Sequence, residues 1–298
     1  MTSQFMLETT RVPFGPSHYE APEAQRLGEW LCNDGVIDLS RVDEINAYGA
    51  ANNIRFGEAA LQLGHITRDD LERALAAQFD DTSLPGTGID EALIVYHDRA
   101  SAGADEVRSL RNTLALRWFK HPQGARTLAV MCPTGHEDGA VVAGNLAIAF
   151  AQVGFRTLLI DGNMREPKLH QLFRIEDRSG LAAYLAGRPE EAAFFQIDSI
   201  PNLTVIPVGG IPPNPQELLL RGLLHDLLRR AEQQWEVILV STPPADLASD
   251  YLLIGAETMG GLIVAESGQT RARDAAAMVR QCQEFGIRLV GAATVQRG

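Results

Sequence analysis

The feature that most constrains this 298-residue chain is a set of six short apolar runs, at 127–132, 157–160, 203–207, 237–240, 261–265 and 289–294. Several are rich in Val and Ile, and most are separated by stretches with helical periodicity, at 141–153, 216–233 and 271–285. Successive side chains of a strand point to opposite faces, so a run that is apolar throughout has two faces to bury. Alternation with helices supplies the cover on both sides and predicts a doubly wound, mostly parallel α/β sheet over 105–298, opened by a helix at 105–120. Such sheets bind ligands at the carboxyl ends of their strands. Three segments therefore become candidates: 132–140 after the first strand, 158–165 through the end of the second, and 237–244 through the end of the fourth.

The front of the chain follows a different rule. Residues 1–22 form a polar, Pro-bearing tail. An internal repeat follows, in which Arg26-Leu27-Gly28-Glu29 recurs as Arg55-Phe56-Gly57-Glu58. Ser40 and Thr67 lie near the helix starts behind each copy, with Asp43 and Asp70 three residues on, in a capping-box-like placement. Each unit is too small to bury a core alone, so the pair should pack as one small all-helical domain over 23–80. Turn chemistry in DDTSLPGTG and the small, polar RASAGAD mark 81–104 as a linker.

Composition narrows the functional classes. With 26 basic and 38 acidic residues the formal charge is −12, the wrong sign for general nucleic-acid binding or for attachment to anionic lipid by charge alone. No run approaches the roughly 20 apolar residues of a spanning helix, and the N-terminus lacks the pattern of a signal peptide. Three widely spaced cysteines and seven unpaired histidines predict reduced thiols and no metal site. A cytoplasmic protein is expected, reaching the inner membrane only through a partner.

Several segments together resemble the bacterial tyrosine kinases of polysaccharide export (BY-kinases), in particular EpsG-like cytoplasmic kinases that work with a chain-length determinant. They are Leu116-Arg117-Trp118-Phe119, NLAIAFAQVGFRTLLID at 145–161, GLAAYLAG at 180–187 and PPNPQELL at 212–219. The stretch RFGEAALQLGHITRDDLERALAAQFD at 55–80 is similar to the MshEN module. The resemblance covers nearly the whole chain. It implies a sheet of P-loop NTPase type behind a small MshEN-like domain.

The same resemblance shows where the kinase motifs are altered. A phosphate loop of the form GxGK(S/T) cradles phosphates with backbone amides, neutralises them with Lys and holds Mg²⁺ through its hydroxyl. Its positions fall on His136, Asp138, Gly139 and Ala140. The second motif, DxDxR, reads Asp161, Asn163 and Arg165, and the carboxylate of the third is replaced by Ser241. Losing the Lys and gaining Asp138 shifts the loop by two charges, and one charge at roughly 4 Å is worth about 4 kcal/mol at an effective dielectric of 20. On this ground no catalytic residue is assigned, and Mg·ATP is not expected as a cofactor.

The resemblance also implies an oligomerisation helix, read here as Asp105, Arg108 and Arg111, and a possible cyclic di-GMP site in the front domain. The latter would use Arg26, Leu27 and Gly28 of the first repeat and Arg55, Phe56, Gly57, Leu71, Leu75 and Gln78 of the second. The first repeat decays, with Val42, Asn46 and Gly49 at its closing positions. The family's tyrosine-rich tail is not apparent, since the five tyrosines do not cluster. The expected function is a non-catalytic regulator or scaffold in exopolysaccharide biosynthesis or export. Its partner would be a membrane chain-length determinant (polysaccharide copolymerase), a kinase paralogue or further copies of the chain. An active tyrosine autokinase, a cyclic di-GMP receptor and a partitioning ATPase of the MinD/ParA branch are the alternatives.

Overall fold

A computed structural model describes residues 31, 36–52, 54, 56–68, 70–71, 89–121, 124–135, 139–175, 179–188 and 194–295. The chain divides into two compact units, one within 15–85 and one that includes 86–298.

In the smaller unit, helices α1 (Leu39–Asn52) and α2 (Phe56–Gln62) enclose a core of Leu31, Ile37, Ile45, Phe56, Ala59, Ala60 and Ile66. The expected capping box forms in the second repeat. Thr67 Oγ1 accepts from Asp70 N at 3.2 Å, and Asp70 Oδ2 accepts from Thr67 N at 2.9 Å. In the first repeat the cap is Asp38 instead, whose Oδ1 accepts from Ser40 N at 3.0 Å. An Asp side chain one residue before the helix satisfies an orphan amide that Ser40, already inside the helix, cannot reach.

The larger unit is built on a seven-stranded sheet: β1 (Thr127–Met131), β2 (Thr157–Asp161), β3 (Phe195–Gln196), β4 (Leu203–Ile206), β5 (Val237–Ser241), β6 (Gly260–Glu266) and β7 (Arg288–Val295). The strand order is β3-β4-β2-β5-β1-β6-β7, and only the β3–β4 pair is antiparallel. This is the doubly wound sheet expected from the apolar runs. Alternation along each strand feeds two separate cores. Leu128, Val130, Leu159, Val205 and Leu239 enter one, while Ala129, Met131, Leu158, Ile206 and Val240 enter the other. Two buried faces are what make these strands apolar throughout.

The first core is covered by α3 (Ile94–His97), α4 (Ala102–Leu114) and α5 (Gly139–Gln152). Helix α4 relaxes into a π-turn at Ala115–Phe119, which places Trp118 Nε1 2.8 Å from the Thr127 carbonyl at the start of β1. Short helix α6 (Leu169–Leu172) follows β2 on this side. The second core is covered by α7 (Leu181–Leu185), α8 (Pro215–Leu219), α9 (Leu223–Ala231), α10 (Asp250–Thr258) and α11 (Ala272–Glu284).

Two expectations are corrected here. Residues 89–104, taken as linker, belong to the larger unit. Ile89, Leu93, Val95 and Ala104 are buried in its core, and Asn145 of α5 pins the segment by accepting from Val95 N and donating to the Ala92 carbonyl, each at 3.0 Å. The helical stretch 216–233 is two helices, because Gly222 takes a left-handed φ of 76° between them. Strand β3 and helix α10 were not anticipated. Two-residue β3 leaves almost no periodic signal, and α10 is apolar on most sides.

Candidate functional site

The chain leaves β1 toward β2 on one side of the sheet and leaves β5 toward β6 on the other. The carboxyl ends of β1 and β5 are adjacent, so the crevice between them is the topological switch point of the sheet. Pairing continues beyond both strands: Thr242 N and Thr242 Oγ1 donate to the Val130 carbonyl, and Ala245 N donates to that of Cys132. The described parts of the first loop, 132–135 and 139–140, converge here with loops 161–169 and 241–250, as their strand ends require.

In the first loop, Gly139 opens helix α5 where the phosphate-loop Lys was expected. A Cβ at this glycine would lie 2.6 Å from Cys132 Sγ. Cys132 is buried, so a longer side chain at 139 would require its sulfur to move. Gly135 N donates to Asp246 Oδ2 at 3.2 Å, so a carboxylate from the third loop already faces an amide of the first. Ala140 follows in the helix without a hydroxyl. His136 and Asp138 lie outside the described residues.

The second loop is tightly organised. Asp161 is fully buried at the end of β2. Its Oδ1 accepts from Asn163 N at 3.1 Å and from the Ser241 hydroxyl at 3.2 Å, and its Oδ2 accepts from Lys168 N and Leu169 N at 3.0 Å each. Burial pushes its pKa up to about 6, while these four donors pull the other way. Asn163 Oδ1 in turn accepts from Arg165 N and Glu166 N at 3.3 and 3.1 Å. Arg165 forms a bidentate pair with Asp250 at the start of α10, at 2.8 and 3.2 Å. The Asp250 side chain is 1% exposed, and its hydrogen bond holds the Arg165 proton more tightly than usual. Gly162 is required for this geometry: a Cβ there would lie 2.6 Å from the Ser241 carbonyl oxygen.

The structure thus brings Gly139, Ala140, Asp161, Asn163, Arg165 and Ser241 to one edge of the sheet. It adds Cys132, Asp246 and Asp250, which sequence reasoning missed as site residues. Asp250 had a usable signal, as an acid at the start of a helix that can face an Arg from a neighbouring strand end. Cys132 and Asp246 had none, because their contacts are set by the crossing of two loops distant in sequence.

The expected oligomerisation helix behaves differently. Arg111 is only 7% exposed, donates to the Ala149 carbonyl at 3.2 Å and binds Asn112 Oδ1 at 2.8 Å. Desolvation lowers its pKa to about 10. It fastens α4 to α5 instead of facing outward. Arg108 binds Asp105 Oδ1 and the Arg99 carbonyl at 2.5 and 2.6 Å. In the smaller unit Phe56 is core, Gly57 is buried and Leu71 packs against that core. Arg26, Leu27, Gly28, Arg55, Leu75 and Gln78 lie outside the described residues.

A parallel, doubly wound sheet with a helix starting behind its first strand at the switch point defines a domain of the P-loop NTPase type. No protein-family model matches the chain. Over 193 residues it is 30% identical to the tyrosine-protein kinase etk of Escherichia coli strain K12, covering 65% of this chain and 26% of the relative. It is 28% identical over 207 residues to the tyrosine-protein kinase YwqD of Bacillus subtilis, covering 70% of this chain and 86% of the relative. The solved kinase domain of Escherichia coli tyrosine kinase ETK matches with a TM-score of 0.66 at 26% identity, over 72% of this chain and 84% of that one. The chain is thus similar to bacterial tyrosine kinases over about two thirds of its length. It spans about a quarter of the length of etk.

These relatives correct one expectation. Tyrosine-protein kinases draw their phosphoryl group from ATP with Mg²⁺, so the exclusion of Mg·ATP as a ligand of this fold does not stand. The groups lining the loops do differ from a kinase set. Gly139 carries no charged side chain, and the carboxylate at the end of β2, Asp161, accepts from four donors of its own chain.

Proposed function

We propose that this chain acts in bacterial polysaccharide export as a regulatory member of its family, one that does not transfer phosphate. The carrying observation is the absent cation. Gly139 carries no side chain, a Cβ there would make Cys132 Sγ turn aside from 2.6 Å, and no other residue in the described part of the loop supplies a positive charge. Phosphoryl transfer rests on positioning and charge stabilisation, so a loop without its cation loses the larger part of its rate. The proposal concerns transfer and leaves nucleotide occupancy as a separate property of the site.

A regulator needs a partner. The partner proposed is a membrane chain-length determinant or an intact kinase of the same family, with the chain held at the inner membrane by that contact. Among the described residues no helix is long and apolar enough to cross a membrane. Exposed Asp105 and part-exposed Arg108 on α4 remain candidates for contact with a second copy. The repeat pattern of the smaller unit supports a further role as a cyclic di-GMP reader, and Arg55→Ala should then abolish dinucleotide binding with the fold intact.

The test is incubation of the purified chain with γ-labelled ATP and Mg²⁺, alone and with a tyrosine-rich acceptor peptide. The expected result is no label on protein or peptide. Stoichiometric labelling that is lost in Asp161→Ala would favour the active autokinase instead.

A further inference from the structure

The two edges of the sheet are finished differently. At one edge β3 is two residues long and antiparallel to its neighbour. At the other, β7 runs for eight residues, Arg288–Val295, parallel to β6. Among the described residues no strand lies beyond it. An unpaired edge is a template for another chain, and natural sheets blunt it with a very short strand, Pro, Lys, an inward-pointing charge or a bulge. Strand β3 is blunted by its length. Strand β7 has a bulge, with Val290 as the extra residue between the Gly261–Leu289 and Leu262–Gly291 pairs. Beyond the bulge the register is regular over 291–295, which holds neither Pro nor a charged residue.

No residue of β7 is buried, and Ala292 and Thr294 are exposed. The register fixes where the backbone groups point. The Val295 carbonyl accepts from Ser267 N at 2.8 Å, so Val295 turns its backbone toward β6. In a parallel ladder every second residue turns the same way, so Ala293 and Gly291 do so too. The N–H and C=O of Ala292 and Thr294 therefore point away from β6. Among the described residues these four groups make no hydrogen bond outside the β6–β7 pair. The side chains of Ala293 and Val295 pack partly on the first core, and those of Ala292 and Thr294 lie on the opposite face.

We propose that β7 pairs antiparallel with β7 of a second copy about a two-fold axis at Ala293, joining two sheets edge to edge. In an antiparallel pair, two residues standing opposite at a hydrogen-bonded position exchange both of their bonds. With Ala293 opposite itself, Ala292 of each copy stands opposite Thr294 of the other. Every outward N–H and C=O of both copies then finds a partner, with none left over. Ala293 becomes a non-hydrogen-bonded pair, the kind with the closest side chains, and two methyl groups fit there. The free groups are thus complementary to themselves, which is what selects a second copy over a strand of another protein. Charge agrees with this: 289–295 is uncharged in a chain of net charge −12, so the strands of two copies meet without repulsion of their own. Strand β3 offers only two residues to pair with, so joining β7 to β3 head to tail is disfavoured and the assembly closes as a dimer. No residue of this edge belongs to the loops at the switch point or to α4, so the inference stands apart from the proposed function.

Sedimentation of the full chain over a range of concentrations, with oxidative cross-linking, tests this. The native chain should pass from monomer to dimer at micromolar concentration. Thr294→Pro removes an outward N–H and no bond to β6, and Ala292→Glu sets a negative charge near its symmetry mate. Each should weaken the dimer about tenfold or more while keeping the melting temperature. Ala293→Cys should form a covalent dimer on mild oxidation at least about tenfold faster than Ala292→Cys, because only position 293 meets itself across the axis. The native chain is the blank, and its Cys132 and Cys282 are buried. The cysteine pair needs no disruptive substitution, so it reads the geometry even if Thr294→Pro fails to fold. A chain that stays monomeric up to about 100 μM, as it would if the edge served a strand of another protein, would overturn the proposal. So would assembly that ignores both Thr294→Pro and Ala292→Glu, open-ended growth, or equal cross-linking at 292 and 293. None of these readouts involves phosphate transfer, so failure here and failure of the regulatory proposal are read separately.

Discussion

The loops after β1 and β2 lie on the same edge of the same sheet, two strands apart, yet they are built on opposite principles. The β2 loop is held by charge. A buried carboxylate gathers four donors, and an Arg–Asp pair ties the loop to α10. The β1 loop is held by closeness, through a sulfur packed against a glycine and one amide facing an exposed carboxylate. In an active phosphoryl-transfer site both loops would answer to the same ligand. Here Asp161 and Arg165 of the β2 loop have partners within the chain. The difference teaches that a motif carboxylate can organise a turn as well as face a ligand.

The largest expected effect is on the β2 loop. Asp161→Ala leaves three buried amides and a hydroxyl without an acceptor and should cost about 3 kcal/mol in urea unfolding. Asp161 also gives the loop a pH signature. A carboxyl whose pKa is raised on folding contributes stability that is full below the unfolded value near 3.9 and lost as pH rises through the folded value of about 6. The difference in unfolding free energy between the native protein and Asp161→Asn should therefore shrink by about 2 kcal/mol between pH 3.9 and pH 6. A flat difference would place Asp161 outside the titrating set.

Arg165→Ala should cost about 2 kcal/mol, because Asp250 is left buried without its partner while Arg165 itself is a third exposed. Adding Asp250→Asn should recover part of that loss, and an additive double variant would show that the pair is not coupled.

On the β1 loop the effect is smaller and conditional. Gly139→Lys alone should destabilise the protein by about 1 to 2 kcal/mol through overlap with Cys132 Sγ. Combined with Cys132→Ala it should return near native stability and bind Mg·ATP at least tenfold tighter than the native chain, as titration calorimetry would show. Equal stability of Gly139→Lys with and without Cys132 would break the claim that the sulfur has to move.

The smallest effect belongs to Asp246→Asn. Its carboxylate is exposed, so melting should move by less than about 0.5 kcal/mol. Removing one negative charge beside the Gly135 amide should strengthen nucleotide binding about threefold.

Much of the fold was legible because both-face burial writes itself into composition. The runs at 127–132, 157–160 and 237–240 could be read as central strands with no further information. The second repeat's capping box was equally legible, since Thr67 and Asp70 act within one turn. What escaped detection depends on tertiary crossing. Arg111 has the spacing of an outward charge but faces Ala149 across two helices. Residues 89–104 lie between turn chemistry at 80–88 and the small, polar RASAGAD, but Asn145, 50 positions after Val95, draws them into the core. Asp161, Asn163, Arg165 and Ser241, singled out by motif, do meet at one edge of the sheet. Their inward-facing contacts were not legible, because a carboxylate that binds a metal and one that caps a turn have the same letter.

The central claim is that the phosphate loop lacks the chemistry for transfer while the β2 loop keeps its frame. It is tested most directly by single-turnover transfer from γ-labelled ATP and Mg²⁺ to a tyrosine acceptor, comparing the native chain with the triple variant Cys132→Ala, Gly139→Lys, Ser241→Asp under nucleotide saturation. The account predicts no transfer by the native chain and measurable transfer by the variant. Transfer by the native chain at a rate equal to or above the variant's would contradict it.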